Sequence, residues 1–185
     1  IGSGGSADVY EATIPVDGRT QTVALKTPRL SDYDTVDTSF FDEFVSEAEV
    51  WDSLDDHDHI VTVLEWGQQP HPWIALEYMD GGNFDSVLGS LDQEEIFGHL
   101  EHVCEAVHHA HRQGITHTDL KPGNILFTEM DGQRVAKVAD WGLATVLLEH
   151  SKSVQGLTPA YSAPEQIDPE AYGGTDDRTD IYQLG

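Results

Sequence analysis

One segment, His117 to Leu126, constrains this chain more than any other. It reads HTDLKPGNIL and places an Asp at position 119, a Lys two residues later and an Asn five residues after the Asp. A further acid follows in the tripeptide Asp140-Trp141-Gly142. Phosphoryl transfer needs an acid that orients a hydroxyl, a Lys that neutralises a phosphate, and hard oxygen ligands for Mg²⁺. We interpret the segment as a phosphotransfer loop rather than as a polar loop with unrelated acids.

Other motifs accompany this loop in a fixed order. A glycine- and serine-rich segment opens the chain, and Val23-Ala24-Leu25-Lys26 follows on a predicted strand. Three further segments complete the set: 74–79, 156–165 and 180–185. Together these motifs resemble the eukaryotic-like Ser/Thr protein kinase family, and the resemblance covers nearly the whole chain.

The resemblance implies an α+β, two-lobed, protein-kinase-like fold. Residues 1–79 would form a small β-rich N-lobe that holds the glycine loop, the Lys strand, a Glu helix and the hinge. Residues 80–185 would form a mainly helical C-lobe with the catalytic loop, the activation segment and the start of a central helix. Because the sequence starts at Ile1 and stops inside a predicted helix, we interpret it as a fragment truncated within that central helix.

Residue patterns predict the elements of both lobes. Strand patterns occur in the N-lobe and beside the two acidic loops, and helical patterns occur near 39–54 and 93–113. Cys104 is placed on the apolar stripe of the second helix, which predicts a buried thiol. The predicted strands are 9–14, 22–27, 61–67, 73–78, 125–127 and 137–139, and the predicted stripe of the second helix is Ile96, Leu100, Val103, Val107 and Ala110.

Glu47 interrupts the apolar face of the first helix. A buried carboxylate without a partner is costly, so the pattern predicts a cation beside it. The family resemblance assigns Lys26 as that cation. Glu49 is the competing acid, but its position is rotated away from the stripe. The other residues on this face are Phe40, Phe44, Ala48 and Trp51.

The resemblance also assigns roles within the catalytic loop. Asp119 would accept or orient the proton of the substrate hydroxyl, and Lys121 would stabilise charge on the transferred phosphate. Asn124 and Asp140 would ligate Mg²⁺. Lys121 at this spacing favours Ser or Thr over Tyr as the acceptor in a protein substrate.

The nucleotide site implied by the resemblance draws on the N-lobe and the hinge. Val9 would cover the adenine, Leu76 would be the gatekeeper beside it, and the backbones of Glu77 and Met79 would bond its edge. Backbone N–H groups of the glycine loop would approach the phosphates of ATP. The full predicted set is Gly2, Ser3, Gly4, Val9, Ala24, Lys26, Glu47, Leu76, Glu77, Met79 and Leu126.

Two residues near the end of the chain have structural roles by the same resemblance. Asp180 would brace the backbone of the catalytic loop near His117. Glu165, in the segment Pro164-Glu165, would pair with an Arg beyond the end of the sequence, so we expect it to be unpaired here and the isolated fragment to be poorly stable.

Three departures from the family pattern keep a second reading open. Ala7 replaces a glycine, Thr118 replaces an Arg that pairs with a phosphate on the activation loop, and Trp141 replaces a Phe. Thr118 therefore predicts activity without loop phosphorylation, and Trp141 is expected to lie near Trp51. A nucleotide-binding pseudokinase or scaffold is the alternative function. A small-molecule phosphotransferase is disfavoured by segment 158–165, which serves protein substrates in this family.

Composition narrows the partners. The formal net charge is −25, from 34 acidic and 9 basic residues, so we expect no binding to nucleic acid or to anionic membranes. The same excess of acid suggests a halophilic source. One cysteine and no apolar run of membrane-spanning length predict a cytoplasmic location, with an anchor outside the fragment left open. The histidines on the second helix have no spacing typical of a metal site.

Overall fold

The computed structural model describes residues 2–3, 7–16, 18–29, 38–54, 57–141 and 159–185. The first part of the chain forms a five-stranded antiparallel sheet in the order β1-β2-β3-β5-β4. Its strands are β1 Gly2–Ser3, β2 Ala7–Val16, β3 Arg19–Pro28, β4 Val63–Gly67 and β5 Trp73–Glu77.

The hairpin predicted at the start of the chain is present. Strands β2 and β3 are ten residues each, longer than the sequence predicted, and pair from Ala7↔Pro28 to Val16↔Arg19. Gly18 closes the turn at φ 76°, a backbone angle that glycine adopts without strain. Because β3 lies between β2 and β5, it is a central strand, and its Lys26 lies inside the fold.

Helix α1 (Thr38–Asp52) follows β3 and precedes β4 in the chain. Its face of Phe44, Glu47, Ala48 and Trp51 is buried, as the apolar stripe predicted. The indole Nε1 of Trp51 donates a 2.7 Å hydrogen bond to the carbonyl of Val61, which fixes the helix to the segment that leads into β4.

The second part of the chain is mainly helical. Its longest helix is α3 (Gln93–Arg112). Asp92 caps the first turn of this helix, because its carboxylate accepts hydrogen bonds from the N–H groups of Glu94 and Glu95. It ends before Gly114, which has φ 77°. The helices are α2 Phe84–Val87, α3 Gln93–Arg112, α4 Pro164–Ile167, α5 Pro169–Tyr172 and α6 Asp177–Leu184, with short 3₁₀ turns at Leu88–Ser90 and Pro122–Asn124.

The buried face of α3 corrects one prediction. Val103, Val107 and Ala110 are buried as expected, and Ala106 joins them. The prediction for Cys104 was wrong, since its thiol is exposed. Consecutive helical residues are rotated by about 100°, so the neighbour of a fully buried Val103 is carried away from the core.

A second hairpin, β6 (Ile125–Met130) and β7 (Gln133–Val138), connects the sheet to the helices. Val61 N–H donates to the carbonyl of Val138 at 2.9 Å, and the amide of Gly81 donates to the carbonyl of Phe127 at 2.8 Å. A Cβ at residue 81 would lie 2.8 Å from the Cβ of Phe127, so this close approach requires glycine. The hairpin thereby fixes the loops on either side of it, 117–124 and 139–141, relative to the sheet.

Within the described ranges, no helix is both long and apolar enough to cross a membrane.

A cluster of five histidines lies between the segment 57–59 and α3. The rings of His59 and His102 are stacked with centroids 3.9 Å apart, and those of His57 and His109 are 4.6 Å apart. His99 is the fifth member, 5.9 Å from His102. In the part of the chain that the structure describes, no group of three or more His, Cys, Asp or Glu side chains is arranged to hold a metal ion.

This histidine cluster makes folding stability sensitive to mild acid. Burial, followed by the charge of neighbouring histidines, lowers the pKa of His57 and His102 below the ordinary 6.5. Burial and His102 do the same to the pKa of His99. Nearby acids oppose these shifts without cancelling them; they are Asp58, Glu95, Glu101 and Glu105.

We therefore expect the melting temperature of the wild type to fall by roughly 3 °C more than that of His102→Gln between pH 7.5 and pH 5.5, since the opposite effect of Glu47, whose pKa is raised, is the same in both proteins. Below pH 6.5 the unfolded chain binds protons that the folded cluster resists, so stability is present above that pH and is lost as the pH falls. His102→Gln should reduce this slope, whereas His71→Gln, at an exposed site, should leave it unchanged. Equal changes of melting temperature in the wild type and His102→Gln over this range would contradict the prediction.

Candidate active site

Lys26 lies at the centre of the site and joins three elements. Its Nζ donates to Oε1 of Glu47 on α1 at 2.6 Å and to Oδ1 of Asp140, after β7, at 3.0 Å. The Lys26 and Glu47 side chains are only 3% and 2% exposed. The ion pair that the apolar stripe of α1 predicted is therefore present, and the same ammonium also binds the acid of the second loop.

The electrostatics of this triad are set by burial and by mutual attraction. Burial alone would lower the pKa of Lys26, but the carboxylates of Asp140 and Glu47 hold the pKa above its ordinary value. Burial would raise the pKa of Asp140, and the charge and hydrogen bond of Lys26 hold it below its ordinary value. The pKa of Glu47 is raised because burial outweighs the attraction of Lys26. The ammonium stays charged, and Asp140 stays ionised beside it.

The second cluster is formed within the loop after α3. Lys121 Nζ donates to Oδ2 of Asp119 at 2.7 Å. The amide nitrogen of Asn124 donates to the carbonyl of Asp119 at 2.9 Å and to its Oδ2 at 3.2 Å. Asn124 lies in the short 3₁₀ turn, which folds it back towards Asp119. Two side chains of different chemistry, an ammonium and an amide, thus meet at the carboxylate of Asp119.

Asp180 of α6 holds the backbone of the Asp119 loop, as the family resemblance implied. Its carboxylate is fully buried and accepts from the N–H of His117 at 2.8 Å and of Thr118 at 2.6 Å. The ring Nε2 of His111 lies 2.7 Å from Oδ2 of Asp180. Thr118 has φ 60°, an angle that non-glycine residues rarely adopt.

The loop 139–141 packs directly on the Asp119 loop. His117 Nε2 lies 2.9 Å from the carbonyl of Ala139, and its ring lies 4.8 Å from that of Trp141. Trp141 is fully buried, and its indole donates to the carbonyl of Val138 at 3.1 Å. Asp140 adopts φ 63° between these anchors. Trp141 therefore takes His117, not Trp51, as its aromatic partner among the described ring contacts.

Trp51 instead approaches the site through the lysine. Lys26 Nζ lies 5.6 Å from the centroid of the Trp51 ring, within the range of a cation–π contact. The sequence pattern did not reveal either of these partners, His117 for Trp141 and Lys26 for Trp51.

Three of the residues predicted to line the adenine site, Val9, Ala24 and Leu76, lie on strands β2, β3 and β5 of the first sheet. Ala24 pairs directly with Leu76 across β3 and β5, and Val9 pairs with Lys26 across β2 and β3. Ala24, Met79 and Leu126 are half-buried against the core, next to the buried Leu76. In the glycine segment, Gly2 and Ser3 form β1 and pair with β2, whereas Gly4 lies outside the described residues.

Glu77 has a role that the sequence did not reveal. Its Oε1 accepts from the N–H of Thr62 and from Nζ of Lys137, both at 2.7 Å. Lys137 is buried in β7, so this ion pair ties the end of β5 to the second hairpin. Each of the three lysines in the described ranges therefore binds a carboxylate, and the third pair joins residues too far apart in sequence for a local pattern to show.

Glu165 has no cationic partner among the described residues, but its carboxylate accepts a hydrogen bond. The hydroxyl of Thr179 donates to its Oε1 at 2.6 Å. Thr158, the first residue of the segment that the resemblance assigns to protein substrates, lies outside the described residues.

Two oxygens of the site suit a hard divalent cation. The amide nitrogen of Asn124 is committed to Asp119, which leaves its Oδ1 as the free acceptor, and Lys26 occupies only Oδ1 of Asp140. No described side chain donates to Asn124 Oδ1 or to Asp140 Oδ2, and the Asp140 side chain is 35% exposed. One carboxylate and one amide oxygen fit Mg²⁺, which usually takes its other ligands from phosphates and water.

A β-sheet lobe that carries a buried Lys–Glu pair, joined to a helical part that carries Asp119, Lys121, Asn124 and Asp140, defines the protein kinase class. A family profile described as the protein kinase domain matches residues 1–185. The chain therefore belongs to the protein kinase family, as the resemblance in the sequence indicated.

Named relatives agree with this assignment. The chain is 35% identical over 193 residues to the serine/threonine-protein kinase PknJ of Mycobacterium tuberculosis, covering all of this chain and 31% of that protein. It is 37% identical over 194 residues to the serine/threonine-protein kinase PrkC of Bacillus subtilis, covering all of this chain and 28% of that protein. The chain thus spans about a third of the length of these curated relatives.

A solved kinase domain has the same fold. A mutant of the Mycobacterium tuberculosis PknI kinase domain superposes with a TM-score of 0.69 at 27% identity, covering all of this chain and 68% of that one.

Proposed function

We propose that this chain transfers the γ-phosphoryl group of ATP to Ser or Thr hydroxyls of protein substrates, with Mg²⁺ as the metal. The observation that carries the proposal is the bridge from Lys26 to both Glu47 and Asp140, formed next to the Asp119-Lys121-Asn124 cluster. Phosphoryl transfer to a hydroxyl requires groups of these types, and their contacts support the proposal.

The roles follow from the contacts. Lys26, held by Glu47, would bind phosphate oxygens of ATP with a charge that burial has not removed. Asp119 would orient the acceptor hydroxyl and take its proton. Lys121, already 2.7 Å from Asp119, would reach the oxygens of the phosphoryl group as it moves to the acceptor. Bound Mg²⁺, held by Asn124 and Asp140, would neutralise phosphate charge, and the rest of the catalysis would come from positioning.

We also propose the division of labour between lobes. Residues 1–79 would hold the nucleotide, with Leu76 beside the adenine and the backbones of Glu77 and Met79 bonded to its edge. Residues 80–185 would hold the acceptor protein and the groups that act on its hydroxyl. The ion pair between Glu77 and Lys137 supports this arrangement, because it fixes the side chain of the hinge residue away from the backbone groups that would meet adenine.

The test uses the full-length protein in molar KCl with Mg²⁺, γ-labelled ATP and a generic protein rich in Ser and Thr. Molar salt screens the self-repulsion of a chain with 34 acidic residues. The expected result is label on phosphoserine or phosphothreonine of the substrate, and its loss in Asp119→Asn. ATP binding without transfer in the wild type would overturn the proposal in favour of a pseudokinase. Label found only on a small molecule would identify a different phosphotransferase.

We further expect the transfer activity to be independent of phosphorylation of the activation loop. Position 118, where the family pattern has an Arg that pairs with a loop phosphate, is a Thr with its side chain fully buried, so no cation is available there to bind such a phosphate. Treating the purified protein with a phosphatase, with removal of phosphate checked by mass spectrometry, should change kcat by less than about twofold, well below the several-fold effect of losing one charge-assisted contact. A loss of most of the activity would count against this prediction.

A further inference from the structure

Gln183 of α6 binds the backbone on both sides of Asp119. Its Oε1 accepts from the N–H of Leu120 at 2.7 Å, and its Nε2 donates to the carbonyl of Thr118 at 3.0 Å. One side-chain amide therefore fixes the residue before Asp119 and the residue after it. No other described side chain contacts the loop backbone at both of these positions.

Gln166 of α4 completes the arrangement from another part of the chain. Its Nε2 donates to the same carbonyl of Thr118 at 2.7 Å. Its Oε1 accepts from Gln183 Nε2 and from the N–H of Ala163, both at 3.0 Å. Gln166 is buried, and Ala163 belongs to the segment that leads into α4. The two glutamines thus connect the segment before α4, helix α6 and the Asp119 loop.

The Thr118 backbone needs such support. A β-branched residue at φ 60° is strained and persists only where its surroundings hold it. The Thr118 hydroxyl has no hydrogen-bond partner among the described residues, so its own side chain does not supply the support. The carbonyl, which accepts from both glutamines, and the N–H, which binds Asp180, hold the residue instead.

We propose that Gln183 and Gln166 are positioning residues that set the orientation of Asp119 for phosphoryl transfer, as an amide clamp made of these two side chains and the backbone of Thr118 and Leu120. The inference rests on the proposed function. Because both groups are uncharged, the clamp needs no phosphate, and salt does not screen it as it screens an ion pair. The clamp therefore explains how the Asp119 loop keeps its conformation without an Arg at position 118 to pair with a phosphate.

The clamp is separate from the groups that would bind the nucleotide. Neither glutamine contacts Lys26, Glu47 or Asp140 in the described structure. A loosened clamp should therefore displace Asp119 and lower kcat while leaving the KM for ATP unchanged. A glutamine that served only general stability would lower the melting temperature and the ATP affinity together, or would leave the activity of the folded protein unaltered.

The test compares wild-type full-length protein with Gln183→Glu and Gln166→Glu. Each change keeps the size of the side chain and its acceptor oxygen but removes the donor to the Thr118 carbonyl. We expect kcat to fall about tenfold or more, as small misplacements of reacting groups do, with the KM for ATP within about twofold of wild type. Gln133→Glu, the same substitution at an exposed position of β7, is the matched control and should leave both constants unchanged.

The pH dependence of kcat distinguishes a positioning role from a purely structural one, which would not change it. A carboxyl at position 183 would face the acceptor oxygens of Thr118 and Gln166, so its neutral form, which can donate a hydrogen bond, is favoured. The deficit in kcat of Gln183→Glu relative to wild type should therefore shrink as the pH falls from 8 to 6. Gln183→Met, which removes both bonds without adding charge, should show the same loss of kcat at every pH.

The outcomes separate the two proposals. A wild type that transfers no label overturns the proposed function itself. An active wild type with equally active glutamine variants overturns only the clamp, as does a joint loss of ATP affinity and kcat. If Gln183→Glu does not melt cooperatively, Gln183→Met carries the same comparison of kcat with KM.

Discussion

Asp119→Asn is expected to lose phosphoryl transfer by roughly 10²–10⁴-fold while staying folded. The amide cannot take a proton from an acceptor hydroxyl, and it removes the negative charge that orients Lys121, 2.7 Å away. Its oxygen can still accept from Lys121 and from Asn124, so the free energy of unfolding should change by no more than about 1 kcal/mol. The variant thus separates chemistry from folding.

The measurement is initial-rate kinetics with labelled ATP, together with a thermal melt and a nucleotide-binding titration. ATP affinity should be preserved, because the Lys26 triad does not include Asp119. Asp131→Asn is a matched control: Asp131 is exposed in the β6–β7 turn at φ 53°, an angle that Asn tolerates well. If Asp119→Asn kept wild-type rates, Asp119 would not be the acceptor of the proton.

Local patterns predicted the parts of the site that lie within one element or one loop. The spacing of Asp119, Lys121 and Asn124 is short enough that the loop itself brings them together, as the structure shows. The stripe of α1 identified Glu47 as an acid that needs a cation, and its pairing with Lys26 followed from the family resemblance. Asp180 was likewise assigned by resemblance, and its contacts with the loop backbone agree.

Contacts between distant segments were the part that the sequence could not show. Gln183 and Gln166 look like ordinary polar residues on short helices, and only the fold brings them to either side of Asp119. Lys137 occupies a buried strand position, where Glu77, sixty residues away in the chain, compensates its charge. Polar groups that pair over long sequence separations have no periodicity in the sequence, so no local pattern predicts their contacts.

The histidines illustrate the same limit. Their spacing along α3 suggested no metal site, but it did not reveal that His57 and His59, from another segment, would contact the rings of His109 and His102. The prediction that Cys104 is buried was wrong for a different reason. An apolar stripe defines the buried face of a helix only to within one residue on either side, and the sequence alone does not show which side the core covers.

Lys26→Met is expected to abolish transfer and to lower the free energy of unfolding by about 3–5 kcal/mol. It removes the one cation bound to Glu47, whose side chain is 2% exposed, and it leaves Asp140 without its partner. Burial raises the pKa of Glu47, and without Lys26 that effect is unopposed, so the folded variant holds a proton that the unfolded chain releases above pH 4.5. Glu47 of the wild type already has a pKa of about 7, so the stability of the variant relative to wild type should fall as the pH rises from 7 to 9.

Thermal melts across that pH range check the prediction, and a double variant explains its origin. Lys26→Met combined with Glu47→Leu removes the uncompensated carboxylate and replaces the pair with apolar groups of similar volume, which is often neutral or stabilising. The double variant should therefore recover stability and lose the pH slope, yet remain inactive, because no ammonium is left to bind phosphate. Lys137→Met is the matched control, since its partner Glu77 is 24% exposed and can stay ionised in contact with water. A double variant no more stable than Lys26→Met would show that Glu47 is not the source of the loss, and a transfer-competent Lys26→Met would remove Lys26 from the mechanism.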